Sequence, residues 1–159
     1  MAKNSSFLFF QITKLFILSL VFLSIFDIGL SWAVDLQVGV CPQPRNTRPV
    51  TKKFRKLKNP LKATPENIAS GKNLYHFLVK PTPCKNCHGD TGNGMGLMSW
   101  ALAPLPRNFT CKETMQSISD GQMFGVIKNG AIGSACLPNR GLKTEQIWQL
   151  VIYIQQFAK

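Results

Sequence analysis

The sequence predicts a small all-α domain, and three observations carry that prediction. Ile147, Trp148, Leu150, Val151, Ile154 and Phe157 form an apolar stripe at helical spacing. Two further segments are bracketed by helix start and stop signals. Between the helices lie loops dense in Gly and Pro, and no alternating strand pattern or internal repeat competes with them.

The first helix opens at Thr64-Pro65-Glu66. Thr64 supplies a capping hydroxyl, Pro65 suits the first helical position, and Glu66 places an acid against the positive end of the helix dipole. This helix runs through Ile68, Leu74, Tyr75 and Leu78 and stops before Pro81. Pro83 to Pro106 carries Gly89, Gly92, Gly94 and Gly96 in close order and reads as loop. A second helix fits Ser119 to Asn129, capped by Ser119 or Asp120 and ended by Gly130. The last begins after Thr144 and reaches Phe157. The helical domain therefore occupies 64–159. Its loops are long for so modest a core, and they need something to pack on.

Two segments precede it. Residues 1–33 read as an export signal. Lys3 and Lys14 give the positive start, Leu15 to Phe26 is a nearly unbroken apolar run, and Ser31-Trp32-Ala33 sets small residues at the two positions a signal peptidase needs, with cleavage before Val34. The alternative is an uncleaved membrane anchor over Phe7 to Leu30, tolerating Lys14 and Asp27. In either case the rest of the chain is exported, to the periplasm or facing it from the membrane. Residues 34–63 form a basic arm. It holds Pro42, Pro44, Pro49 and Pro60, and between Asp35 and Glu66 it has many cations and no acid. It reads either as an extended arm lying on the domain or as a solvated charged tail.

The full chain has 159 residues, 19 Lys and Arg, and 7 Asp and Glu, for a formal charge of +12. Without Lys3, Lys14 and Asp27 the exported part keeps 17 bases and 6 acids, or +11. No acidic pair suggests general acid–base catalysis, and no motif suggests nucleic acid as a partner. The expected character is non-enzymatic.

Cys84-Lys85-Asn86-Cys87-His88 is C-x-x-C-H, the attachment signature of c-type haem. Two thiols at this spacing reach the two vinyl groups on one porphyrin edge and form thioethers. The adjacent His88 can then turn its imidazole onto the iron. Two other readings of a C-x-x-C pair exist. A redox disulfide wants an alternating βαβ pattern, which is lacking. A zinc site wants partners, and the chain has two histidines and no second C-x-x-C. Export, helices and motif together favour one covalently bound haem, with the small helical domain wrapped around it.

At these residues the chain resembles the class I monohaem cytochromes c, over about Glu66 to Ala158. The likeness includes Gly71-x-x-Leu74-Tyr75, Cys84 to Asp90 followed by Gly92, Gly94 and Gly96, Pro104-Leu105-Pro106-Arg107-Asn108-Phe109-Thr110, Asp120 to Phe124, Asn129-Gly130, and Ile147-Trp148 with Tyr153-Ile154. The resemblance implies that the first and last helices cross near the haem, with Gly71 and Tyr75 facing Leu150 and Tyr153. It implies that Pro104 or Pro106 offers a backbone carbonyl to His88 Nδ1–H, as a ligating histidine requires.

The resemblance also exposes a departure. The family draws its sixth iron ligand from Met in a G-x-x-M-P stretch. Here that stretch is Gly133-Ser134-Ala135-Cys136-Leu137-Pro138, and no Met follows Met123. Cys136 is the candidate second axial ligand, as a thiolate that favours ferric iron. A five-coordinate iron is a second outcome. Ligation by Met115, Met123 or His76 is a third. Setting Cys84 and Cys87 aside leaves three cysteines. If Cys136 binds iron, Cys41 and Cys111 can pair, and the rival pairing is Cys111 with Cys136.

The function expected on this basis is a periplasmic electron carrier exchanging single electrons with acidic-surfaced redox proteins. Lys52 to Lys58, Lys72, Lys80 and Lys85 are the candidate docking cations. The alternatives are a haem-bearing subunit of a larger redox complex, with the arm gripping a neighbour, and a haem-based sensor of small ligands.

Overall fold

The computed structural model describes residue 39, residues 41–44 and residues 47–159, which fall in the unit Gln37–Lys159. The expected leader, its cleavage site and the start of the arm lie outside the described residues. Among those described, all regular structure is helical: α1 (Lys52–Arg55), α2 (Pro65–Asn73), a π-helical turn (Leu74–Leu78), α3 (Lys85–His88), a 3₁₀ turn (Ser99–Ala101), α4 (Lys112–Met115), α5 (Asp120–Asn129) and α6 (Thr144–Gln156). The described residues thus form an all-α fold, as the sequence predicts. No helix of the described residues is long and apolar enough to cross a membrane.

The capping signals act as they read. Thr64 Oγ1 accepts from the Asn67 N–H at 3.3 Å and starts α2. The same hydroxyl and a backbone bond hold the exposed Glu66 carboxyl below the usual range, the backbone bond contributing more. Ser119 Oγ accepts from the Gln122 N–H at 3.2 Å and starts α5, which Gly130 ends at φ 76°. At the start of α6, Gln146 Oε1 accepts from the Lys143 N–H at 2.9 Å.

The first helix differs from the single run expected. Its last turn, Leu74–Leu78, widens to π geometry, so that Leu74, Tyr75 and His76 are buried while Phe77 and Leu78 are exposed. Gly71 makes the close crossing of α2 over α6. A Cβ built there would meet the Gln149 carbonyl and lie 2.7 Å from Tyr153 Cβ, so only hydrogen fits. Tyr75 lies at this crossing, with its ring 5.5 Å from that of Tyr153. The core continues through Ile147, Leu150 and Val151 to Phe124 and Trp148, whose rings stack at 4.2 Å.

The arm is neither a free tail nor wholly extended. Its α1 turn lays Phe54 against Phe124, ring centroids 6.1 Å apart. Gly121 and Gly125 on α5 open the notch that receives it, since a Cβ at Gly125 would lie 2.9 Å from Val50 Cγ1. Asn59 Nδ2 donates to the Trp148 carbonyl at 3.0 Å, and Ser119 Oγ donates to the Arg55 carbonyl at 3.1 Å. The apolar side of the arm is therefore used on its own domain. Lys52, Lys53, Arg55, Lys56 and Lys58 remain exposed.

Farther back along the chain, Cys41 and Cys111 form a disulfide with Cα atoms 5.4 Å apart. It closes a sequence separation of 70. Replacing both by Ser is expected to cost about 2–4 kcal/mol by freeing the unfolded chain. The shift of the denaturant midpoint under non-reducing conditions measures it.

Candidate haem-attachment site

The motif folds as a single turn. Cys84 precedes α3, Cys87 and His88 end it, and Gly89 at φ 83° reverses the chain immediately afterwards. That angle is open to Gly and strained for other residues. A Cβ at Gly89 would also strike the Asn93 side chain. The Gly-rich loop then returns its backbone donors to the carbonyls that a short helix leaves open. Gly94 N–H reaches the His88 carbonyl at 2.8 Å, Gly96 N–H the Cys87 carbonyl at 3.1 Å, and Met98 N–H the Asn86 carbonyl at 2.8 Å. The density of Gly is thus explained by close backbone approach to the motif.

His88 is oriented from two sides. Its ring stacks on Phe109 with centroids 4.4 Å apart and planes 17° apart. Its Nδ1 lies 3.0 Å from the Arg107 carbonyl oxygen. This corrects the expectation for Pro104 or Pro106. The Pro106 carbonyl is already taken, accepting from Gln43 Nε2 at 2.9 Å, and Pro104 stands exposed. With Nδ1 on Arg107, Nε2 is the ring atom suited to bind a metal.

Burial, foremost, pushes the Cys84 thiol up to about 12, and the nearby Cys136 sulfur adds to the effect. Cys87 is raised by burial alone. Cys136 therefore acts electrostatically on the first motif cysteine, 52 positions before it in sequence. Cys136 sits in a turn held by the Ala131 N–H to Cys136 carbonyl bond at 2.9 Å and the Cys136 N–H to Ser134 Oγ bond at 3.2 Å.

The other ligand candidates are occupied elsewhere. Met115 and Met123 are buried in the apolar core. His76 is buried, with Nε2 2.9 Å from Tyr153 Oη and Nδ1 3.3 Å from Asp90 Oδ1. Burial, foremost, raises the Tyr153 hydroxyl, with Asp90 adding to it. Lys85 also changes status. Its Nζ lies 3.4 Å from Asp90 Oδ1 and 5.2 Å from the Phe77 ring, so its charge is partly compensated. Sequence reading missed Gln43, and it placed Arg107 and Asn108 in the family likeness without seeing their roles. Arg107 acts through a main-chain carbonyl, and Gln43 reaches the site from 45 positions away.

The raised Cys84 thiol has a measurable consequence. Its folded pKa of about 12 exceeds the unfolded value of 9.0, so the neutral thiol is favoured in the fold. The corresponding stability is present below pH 9 and is lost as pH rises from 9 toward 12. The haem-free chain is expected to lose more thermal stability between pH 8 and pH 10 than its Cys84→Ala variant. Parallel melting curves show this.

The residues present fit a covalent haem. Two half-buried thiols share one turn with a histidine whose other nitrogen is anchored. Large apolar side chains stand exposed in the segments flanking the motif and Cys136, including Leu97 at 85%, Trp100 at 76%, Ile132 at 71% and Leu137 at 67%. A flat apolar macrocycle is the kind of group such surface receives.

No protein-family model matches the chain, and no curated protein matches it. Among solved structures it is similar to a chain of the Kuenenia stuttgartiensis reducing HAO-like protein complex. The TM-score is 0.54 and the identity 23%, over 72% of this chain and 52% of that one. This chain thus spans about half the length of that neighbour. At this identity the likeness bears on the fold.

Proposed function

We propose that the protein is an exported monohaem c-type electron-transfer protein of the periplasm. The carrying observation is the C-x-x-C-H turn with His88 Nδ1 held at 3.0 Å from the Arg107 carbonyl. Cys84 and Cys87 would hold the haem through thioethers, His88 would bind the iron through Nε2, and Cys136 would offer the second axial sulfur. The haem supplies a one-electron couple. The chain orients His88, half-buries the sulfurs and sets the surface charge. Burial around Cys84 supplies a low-dielectric setting on the motif side, while Cys136 stands half-buried in its turn.

The exposed cations Lys52, Lys53, Arg55, Lys56 and Lys58 would select a redox partner with an acidic surface, and salt would weaken that encounter. A second reading is a haem-bearing subunit of a larger redox complex. The likeness to a chain of a named protein complex favours it. Potentiometric titration of the protein matured with haem tests the proposal. One reversible one-electron transition is expected, and its absence contradicts the reading. Recovery of the chain only within a stable assembly would favour the subunit.

A further inference from the structure

We propose that Gln43, on the basic arm, is a positioning residue for His88. The inference rests on His88 being an iron ligand, as read above. Gln43 is buried, at 8% exposure, although it lies in a segment otherwise exposed. Its amide forms two bonds to one stretch of backbone. Nε2 donates to the Pro106 carbonyl at 2.9 Å, and Oε1 accepts from the Asn108 N–H at 3.1 Å. The side chain thus acts as a short strand edge laid along Pro106 to Asn108. The peptide it spans carries the Arg107 carbonyl, which faces His88 Nδ1.

The clamp is itself fixed. Gln43 stands between Pro42 and Pro44, and the residue before a proline is restricted to extended backbone. Two positions earlier, Cys41 is joined to Cys111. Asn108 Nδ2 adds a second strut to the arm by donating to the Gly39 carbonyl at 3.1 Å. From the other side the motif loop closes in. Phe109 N–H reaches the Gly92 carbonyl at 2.6 Å, and a Cβ at Gly94 would lie 2.9 Å from the Pro106 oxygen. The Arg107 acceptor is held between the motif loop and the arm, and Gln43 is the arm's direct hold on it.

The consequence concerns the iron. A firm bond from Nδ1–H to a carbonyl makes the imidazole more basic and a stronger donor, which favours ferric iron. Loosening Arg107 weakens that bond. The arm therefore tunes the proximal ligand, independently of any role its cations have in docking.

The test compares the wild-type holoprotein with Gln43→Ala and Gln43→Met. Met keeps the length and fills the space but makes neither hydrogen bond and carries no charge, so it holds the fold if Ala does not. In both variants the reduced-to-oxidised ratio at a fixed applied potential is expected to rise about threefold, and exchange of the His88 Nδ1 proton, followed by NMR, to quicken about tenfold. Lowered melting temperature with both readouts at wild-type values would assign Gln43 to structure alone and overturn the inference. Absence of covalent haem from the wild-type protein would overturn the functional reading beneath it, and is seen before either variant is measured.

Discussion

Replacing Gly71 with Ala is expected to destabilise the domain by about 3 kcal/mol, among the largest effects of any single methyl group added to this chain. The added carbon would be driven into the Gln149 carbonyl and against Tyr153 Cβ, 2.7 Å away. Both belong to α6, and Gln149 meets the methyl with backbone, which no rotamer change can move aside. The helices must separate, opening the layer that contains Tyr75, Leu150 and Val151, all fully buried. Tyr75 Oη donates to the Gly89 carbonyl at 2.8 Å, so the disturbance reaches the turn that follows His88. Denaturant unfolding of the holoprotein measures the loss. A Gly71→Ala protein within about 0.5 kcal/mol of wild type would contradict the close crossing.

Replacing Cys136 with Ala is expected to change the iron's coordination while leaving the covalent haem in place. A thiolate sixth ligand gives low-spin ferric iron, and its loss leaves an open or water-filled position with a high-spin component. Optical and EPR spectra of the two proteins decide it. The same low-spin signal in both would exclude Cys136 as the ligand. The expectation rests on the electrostatic influence of the Cys136 sulfur on that of Cys84, and on His76 being engaged by Tyr153 and Asp90.

The fold was largely legible because its signals are local. Thr64, Ser119 and Gly130 cap where their chemistry says they should, and the apolar stripe of α6 required a buried face. The Leu74–Leu78 turn was not legible, since π geometry follows from how Tyr75 and His76 are buried rather than from propensity. The placement of the arm was not legible either. The notch at Gly121 and Gly125 looks, in sequence, like two poor helix formers in α5. Only against Phe54 and Val50 do they have a purpose.

At the site, side-chain chemistry at fixed spacing could be read, and main-chain chemistry could not. The C-x-x-C-H turn is explicit in Cys84, Cys87 and His88. The acceptor for His88 is a carbonyl, which every residue carries, so only geometry separates Arg107 from Pro104 and Pro106. Gln43 lies beyond the reach of any local pattern, because a disulfide and two prolines bring it to the site.

The most direct test of the account is whether the haem stays with the polypeptide. The protein, produced in a host able to mature c-type haem, is unfolded and extracted with acidified acetone, and the chromophore is followed. Covalent attachment through Cys84 and Cys87 predicts that the colour remains with the protein, and that Cys84→Ser with Cys87→Ser releases it. Haem extracted from the wild-type chain, or a wild-type chain that carries none, would contradict the central claim.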